Sequence, residues 1–305
     1  MSNLSSRSSG GVRGETATLL IPLVVMIAMA AARPAPARGA GAGAAAPLRI
    51  CADPNNLPFS NQAREGFENK IAGLIGADLG RDVQYTWWAQ RRGFVRNTLN
   101  ARTCDLVVGT TAGMELLATT RPYYRSTYVF VSRRERKLGI RSFDDAKLRS
   151  LKIGVQLVGD DGANTPPAHA LAKRGLAQRL VGYTVYGDYR HASPASQIVD
   201  AVIADKVDIA VVWGPLAGFA AKHAAVPLDI VPVSPRMDLP YLPFVFDIAM
   251  GVRRSDSTFR RQLDDFIERR QPSIDSVLDA YGVPRVDRVS RANATSAGGG
   301  GGAFE

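Results

Sequence analysis

Apolar and polar positions alternate with two different periods from residue 47 onward. Period-two or continuous apolar runs predict strands, and apolar residues three or four positions apart predict helices. The first predicted strands are LRICA (48–52), VQYTWW (83–88) and CDLVVGT (104–110). A helix is predicted after the first strand, where Phe67, Ile71, Leu74, Ile75 and Leu79 share one face and Gly80 follows. A short helix is predicted over GFVRNTLN (93–100).

The same alternation continues in the second half. The predicted strands there are LKIGVQL (151–157), VGYTVYG (181–187), VDIAVVW (207–213), LDIVPV (228–233) and DIAMGVR (247–253). Helices are predicted from Pro166 to Gly175, after Ser193-Pro194, and over 256–270 and 273–281, with Pro272 separating the last two. Strands that alternate with helices predict an α/β class with mostly parallel sheets and helices on both faces. We expect two such lobes, 47–132 plus 241–284 and an inserted 133–240.

Both ends of the chain fall outside this pattern. Arg7 and Arg13 precede the apolar run ATLLIPLVVMIAMAAA (17–32), and small residues follow it. This order predicts a signal peptide over 1–46 and a periplasmic protein. The alternative is an N-terminal membrane anchor, for which the run is short of the ~20 residues that a span needs. The segment 285–305, ending in GGGGGAFE, is predicted to be a disordered tail.

Composition and motifs narrow the function. The net charge is +10, but no basic run is dense enough to indicate nucleic acid, and the charge favours an acidic partner. His169, His191 and His223 are not at metal or triad spacing. No catalytic motif is found, so the chain is predicted not to be an enzyme and to hold no metal.

Ligands in open parallel sheets bind beyond the carboxyl ends of the strands. The loops predicted there are 53–59, 110–114, 159–167 and 213–218, and a facing pair of lobes would place them around one cleft. The predicted cleft residues are Asp53, Pro54, Asn55, Asn56, Phe59, Trp87, Trp88, Thr110, Thr111, Arg121, Tyr123, Tyr124, Asp160, Asp161, Trp213 and Pro215.

Several of these residues have a structural alternative. Asp53 either contacts a ligand or accepts hydrogen bonds from its own loop, and Asn55-Asn56 either contacts a ligand or permits a turn. Trp87 and Trp213 either line the cleft or fill the cores of the lobes. Arg121 either faces the cleft or pairs locally. Asp160-Asp161 begins like a calcium loop but lacks the further spaced oxygens, which favours a turn.

Cys51 and Cys104 are the two cysteines of the chain. In an exported protein they suggest a disulfide. If Cys51 ends one strand and Cys104 begins its parallel neighbour, a stagger of about four residues separates them by ~13 Å, beyond the ~7 Å that a disulfide spans. Two buried thiols are therefore the alternative. A reactive thiol is less favoured, because no His or Lys cluster lies nearby.

Five segments carry a resemblance to a known family. They are CADPNNLPFSN (51–61), WWAQRRGFVRNTL (87–99), CDLVVG (104–109), TTRPYYRSTYVFV (119–131) and DIAVVWGPLAGFAA (208–221). The chain resembles periplasmic solute-binding proteins of the polar-amino-acid type, and most closely their branch associated with quinoprotein methanol dehydrogenases, the MxaJ/XoxJ type. The resemblance spans roughly 47–283 and implies the two-lobe type II fold.

Two departures from the amino-acid-binding relatives bear on the ligand. Those relatives have an arginine after the third strand for the ligand carboxylate, where this chain has Ala112-Gly113-Met114-Glu115. They also have an aspartate for the ligand ammonium, at about the position of Trp213 here. An aromatic, apolar cleft is expected instead, to which Pro58 also contributes.

The resemblance implies a non-enzymatic accessory that binds a methanol or alcohol dehydrogenase through this cleft and assists its maturation or activation. The quinone cofactor PQQ and the metal would belong to that dehydrogenase. The alternative is a solute receptor of an ABC importer for a small uncharged or apolar ligand. An enzyme is the third possibility, against which the missing acid–base groups argue.

Overall fold

The computed structural model of the protein describes residues 45–157, 164–184 and 193–286. Nearly all of the predicted signal peptide, most of the predicted tail, Asp160, Asp161 and His191 therefore lie outside the described residues. Within the described ranges, no helix is both long enough and apolar enough to cross a membrane.

The described residues form fourteen strands and six α-helices. The strands are Leu48–Ala52 (β1), Asn55–Asn56 (β2), Ser60–Asn61 (β3), Val83–Trp87 (β4), Leu106–Thr111 (β5), Ala118–Thr119 (β6), Tyr124–Arg133 (β7), Ile153–Leu157 (β8), Leu180–Thr184 (β9), Ile209–Trp213 (β10), Leu228–Pro232 (β11), Met237–Asp238 (β12), Leu242–Pro243 (β13) and Val245–Val252 (β14). The α-helices are Phe67–Leu79 (α1), Phe94–Asn97 (α2), Pro166–Lys173 (α3), Gln197–Ile203 (α4), Gly214–His223 (α5) and Ser257–Ala280 (α6). Short 3₁₀ helices cover Arg134–Arg136, Ala146–Ser150, Ala177–Arg179 and Pro194–Ser196.

Two groups of three parallel strands make up most of the sheet. The first strand group has the order β4-β1-β5 and the second has the order β10-β8-β9. Two antiparallel strands, β14 and β7, lie between the groups and pair with each other over Val245–Ile248 and Tyr124–Thr127. The α/β class is thereby confirmed. The strands β7 and β14, which we call the crossing strands, add an antiparallel pair to the parallel groups. The predicted lobe boundaries, which fall close to these strands, stay predictions.

Helix α1 follows the prediction closely, because its ends have clear chemical signals. The side-chain oxygen of Asn69 accepts hydrogen bonds from the backbone N–H groups of Gly66 and Asn61, at 3.1 Å each. Gly80 ends the helix in the left-handed region, at φ 62°. Phe67, Ile71 and Ile75 are fully buried on the face that packs against the first strand group.

Helix α6 corrects the prediction of two helices separated by Pro272, because it continues through that proline. Leu263 and Phe266 before Pro272 and Ile274 and Leu278 after it are all buried in one core with the first strand group. Burial of both segments in the same core outweighs the ~3 kcal/mol that a proline costs inside a helix.

The start of the predicted disordered tail is also corrected. Arg285 pairs with Asp275 and Asp279 at 2.6 Å each, and the N–H of Val286 donates to the carbonyl of Arg125 at 3.1 Å. These contacts attach residues 285 and 286 to α6 and to the crossing strand β7.

Candidate functional site

A cavity of about 390 Å³ lies between residues of the two strand groups. Its volume is within the range of small-ligand pockets. It is lined by Asn56, Phe59, Glu68, Gln90, Gly109, Thr110, Thr111, Met114, Tyr124, Tyr128, Gln156, Leu157, Asn164, Thr165, Pro166, Ala195, Trp213, Leu216, Phe246 and Ile248.

One wall is built around the buried carboxylate of Asp53. It accepts hydrogen bonds from the backbone N–H of Asn55 at 2.8 Å and of Gln90 at 2.6 Å. The side-chain amide of Asn56 then donates to that of Gln90 at 3.0 Å. Asp53 therefore accepts one hydrogen bond from its own loop and one from the loop that follows β4, and Asn56 and Gln90 of these two loops line the cavity. That Asp53 contacts a ligand stays a prediction.

Glu68 is the one acidic or basic residue among the described residues of the cavity wall. It lies in the first turn of α1, and a Cβ atom added at Gly109 of β5 would overlap its carboxylate oxygen Oε1. The absence of a side chain at Gly109 thus makes room for this carboxyl group. Burial, followed by repulsion from Asp53, raises the pKa of Glu68 to about 8. Among the described residues, no donor forms a hydrogen bond to its carboxylate.

An aromatic wall is formed by Tyr128, Trp213 and Phe246. The ring centroids of Tyr128 and Trp213 are 5.4 Å apart, those of Trp213 and Phe246 are 5.9 Å apart, and each pair meets edge to face. Tyr128 and Phe246 lie on the crossing strands β7 and β14, and Trp213 ends β10. The wall therefore stands where the two strand groups meet.

Replacing Gly109 by alanine is expected to lower the free energy of unfolding by about 1–3 kcal/mol, since the added methyl group overlaps the Glu68 carboxylate. The carboxylate is the end of a flexible side chain, so we expect the lower half of that range. Urea unfolding measures the change. The control is Gly73→Ala on α1, where no atom lies within 4 Å, and it should be neutral or stabilising. Equal midpoints for the two variants would contradict this geometry.

The structure brings six of the predicted cleft residues together at the cavity. They are Asn56, Phe59, Thr110, Thr111, Tyr124 and Trp213. Thr110 and Thr111 end β5 of the first strand group, Trp213 ends β10 of the second, and Tyr124 begins the antiparallel strand β7. That any of them contacts a ligand stays a prediction.

Other predicted residues lie away from the cavity lining. Trp87 stacks on Tyr85 with ring centroids 4.5 Å apart, and Tyr123 is buried in the core with its hydroxyl donating to the carbonyl of Val108.

Arg121 forms an ion pair with Glu268 at 3.0 Å on the exposed side of α6, which is the local pairing given above as its alternative. Trp88 is exposed, Pro215 is buried in the first turn of α5, and Pro54 and Asn55 are half-buried. Asp160 and Asp161 lie outside the described residues.

Glu68, Gly109, Tyr128, Gln156 and Phe246 line the cavity without having been predicted. Tyr128 lies within the quoted segment TTRPYYRSTYVFV, which was not predicted to be a strand. The strand pattern of β7 could have identified it. An acidic residue in the first turn of a helix is ordinarily explained by the helix dipole, so Glu68 gave no distinct signal.

Cys51 and Cys104 form a disulfide with Cα atoms 5.4 Å apart, and the described residues contain no free cysteine. The stagger argument against it was wrong because Cys104 precedes β5 rather than belonging to it. The strand begins at Leu106, and the N–H of Asp105 already bonds to the carbonyl of Arg49 at 2.7 Å. The chain before β5 therefore turns toward β1.

In the parts of the chain that the structure describes, no group of three acidic, histidine or cysteine residues is arranged to hold a metal ion. No cation lines the cavity among the described residues. A ligand carboxylate would have no partner of opposite charge there.

Comparisons with known proteins identify relatives along most of the chain, although no family model matches it. MoxJ of Methylorubrum extorquens AM1 is 31% identical over 252 residues, which are 79% of this chain and 82% of that protein. The crystal structure of the periplasmic binding protein XoxJ from Methylobacterium extorquens AM1 is 36% identical with a TM-score of 0.65, covering 79% of this chain and all of that one. MxaJ from Methlophaga aminisulfidivorans MPT is 25% identical with a TM-score of 0.68, covering 78% of this chain and all of that one.

The fold is shared more widely. An amino-acid ABC transporter substrate-binding protein from Streptococcus pneumoniae, in complex with L-arginine, has a TM-score of 0.56 at 18% identity, over 78% of this chain and 95% of that one. At this identity the likeness shows the periplasmic binding protein fold alone. With MoxJ as a relative along four-fifths of its length, the chain belongs to the MoxJ/MxaJ/XoxJ family of periplasmic binding proteins, whose names are linked to methanol oxidation.

Proposed function

We propose that the protein is a periplasmic, non-enzymatic accessory that binds a PQQ-dependent methanol or alcohol dehydrogenase and assists its maturation or activation. The observation that carries this proposal is the relationship to MoxJ and XoxJ along most of the chain. The proposal includes export by the N-terminal signal. It assigns the quinone and the metal to the dehydrogenase and none to this chain.

The cavity supports a role other than amino-acid uptake. The loop after β5 carries Met114 in the lining and no arginine. Trp213 also lines the cavity, at about the position where the resemblance implies an aspartate for a ligand ammonium. An amino acid bound there would leave its carboxylate without a positive partner among the described residues, which is costly in a buried site.

The size of the cavity limits how a protein partner could use it. About 390 Å³ accommodates a small molecule or one or two side chains. The proposed contact with the dehydrogenase therefore lies mainly on the outer surface. It departs in this respect from the expectation that the cleft itself holds the partner.

The hairpin β12–β13 is the surface we assign to that contact. Leu239 and Tyr241 at its tip are 74% and 86% exposed, although both are large apolar residues. Exposed apolar side chains on a fixed element suit an interface, because tyrosine contributes strongly to binding at low entropic cost.

Ion pairs hold this hairpin in place. Asp238 accepts two hydrogen bonds from the Arg174 guanidinium, at 2.7 and 3.2 Å, and the pKa of its carboxyl group is lowered chiefly by this contact. Arg174 also bonds to Asp144, and the Lys173 ammonium donates to the carbonyl of Leu239 at 2.6 Å. These contacts attach the base and the tip of the hairpin to the end of α3.

Sedimentation of the protein with the quinoprotein methanol dehydrogenase of the same organism tests the proposal. A complex at micromolar concentration, in 0.05 M salt or less, is expected with the PQQ-free or the PQQ-loaded dehydrogenase. Preference for the PQQ-free form would assign the role to maturation, and preference for the loaded form to activation. Failure to form a complex with either would contradict the accessory function.

Replacing Leu239 and Tyr241 together by serine is expected to weaken this complex at least tenfold, since two buried apolar anchors would be lost. Leu116→Ser is the matched control, because Leu116 is 62% exposed on another loop and its loss should leave affinity unchanged. If Trp213→Ala weakens the complex and the hairpin variant does not, the cleft and not the hairpin holds the partner.

A solute receptor for an importer is the second candidate, and the small volume of the cavity, about 390 Å³, favours it. A ligand that co-purifies with the protein and raises its melting temperature, together with no dehydrogenase complex, would establish this alternative. Both roles can coexist, since the hairpin tip and the cavity lining have no residue in common.

A further inference from the structure

The described lining of the cavity contains an acidic side chain and no basic one. Glu68 is the one carboxylate or basic side chain among the described residues of the lining. It faces the cavity beside Gly109, and no described donor satisfies it. Glu68 is half-buried, so its carboxyl group can contact a ligand in the cavity.

An aromatic cluster in the same lining supplies a complementary surface. Tyr128, Trp213 and Phe246 form a cluster in which centroids lie 5.4 to 6.3 Å apart. The faces of aromatic rings attract cations, tryptophan most strongly, and clusters of such rings bind alkylated ammonium groups. Thr110, Thr111 and Gln156 add neutral oxygens that can accept hydrogen bonds from an ammonium N–H.

We propose that the cavity binds a small organic ammonium ion that carries no carboxylate, with Glu68 as its counter-ion and the aromatic cluster as its wall. An anion would be repelled by Glu68 and would find no cation in the described lining. A zwitterionic amino acid would satisfy Glu68 and leave its own carboxylate unpaired. The expectation of an uncharged or apolar ligand thereby changes to a cationic one, and the inference does not depend on the dehydrogenase.

Binding of the cation should release a proton. Four groups face Glu68 from neighbouring elements: Asp53 before β2, Tyr85 on β4, and Tyr123 and Tyr124 around the start of β7. Burial, and then the charge of Asp53, raises the pKa of Glu68. Burial also raises the pKa of each of the three tyrosines, and the charge of Glu68 in turn raises it further. Below pH 8 the Glu68 carboxyl is mostly protonated, and the cation displaces its proton to the solvent. Affinity should therefore increase about tenfold per pH unit up to about pH 8 and then level off.

Isothermal titration calorimetry with tetramethylammonium and n-butylammonium chlorides tests the proposal. Titrations at pH 6, 7, 8 and 9, in buffers of different ionisation enthalpy, measure both affinity and proton release. We expect at least one probe to bind with the stated pH dependence, and one proton to be released per cation well below pH 8. The neutral tert-butanol and the zwitterionic trimethylglycine should bind at least tenfold more weakly.

Glu68→Gln retains the shape of the side chain and should weaken cation binding at least tenfold while removing its pH dependence. Glu65→Gln is the matched control: Glu65 is an exposed carboxylate three residues earlier, and its removal should leave affinity unchanged. Equal or tighter binding of tert-butanol by the wild-type protein, or an unchanged affinity in Glu68→Gln, would overturn the proposal. So would the absence of binding for both cations at millimolar concentration.

Discussion

Breaking the disulfide is expected to lower the free energy of unfolding by about 4 kcal/mol. Cys51 and Cys104 are 53 residues apart, and a cross-link of that length removes about this much chain entropy from the unfolded state. Both cysteines are buried with Phe94, Leu99 and Val107, so the double variant Cys51→Ala/Cys104→Ala also loses packing. Guanidinium unfolding of oxidised and reduced protein measures the effect.

Comparison of reduced wild-type protein with the double alanine variant separates the two contributions. Reduction retains both sulfur atoms, so the loss on reduction reports the cross-link, and any further loss in the alanine variant reports packing. If reduced and oxidised wild-type proteins unfold at the same denaturant concentration, the stabilising role assigned to the disulfide is wrong.

Glu68→Gln is expected to change the pH dependence of stability more than any other single substitution in the cavity. Burial raises the pKa of Glu68 from its ordinary value of 4.5 to about 8. The stabilisation that comes with the protonated form is complete below pH 4.5 and is lost as the pH increases toward 8, at up to about 1.4 kcal/mol per pH unit. The glutamine variant lacks this loss and should be the more stable protein at pH 8.

Urea unfolding at half-unit steps from pH 4.5 to 9 measures the two profiles. Glu65→Gln serves again as the control and should reproduce the wild-type curve. Parallel curves for Glu68→Gln and wild type would show that the Glu68 carboxyl titrates normally. A more stable variant that no longer binds cations would indicate that Glu68 is retained for binding at the expense of stability.

Local signals explain which elements could be predicted from the sequence. The helix α1 has an apolar face and a terminal glycine. The parallel strands β1 and β5 are short, mostly apolar runs, and in β4 apolar and polar residues alternate. The assumption that the strand of Cys51 and the strand near Cys104 are parallel neighbours is confirmed by the pairing of β1 with β5. In each of these elements the information lies within about fifteen consecutive residues.

The features that were missed depend on contacts between distant residues. Pro272 remains helical because both halves of α6 are buried in one core, and Cys104 reaches Cys51 because the chain before β5 turns. The role of Glu68 depends on a glycine 41 positions later, which has no side chain to occupy the space. Neither local propensity nor periodicity contains that information.

The pairing of β7 with β14 determines how the two strand groups are joined mechanically. Two single segments would form flexible tethers, but these two strands are hydrogen-bonded to each other from Tyr124 to Thr127. The hydrogen-bonded pair forms one twisted ribbon, so a change in its twist would move both strands together. Tyr128 and Phe246 are part of that ribbon, so any torsion of it would reshape the aromatic wall and the cavity entrance in the same movement.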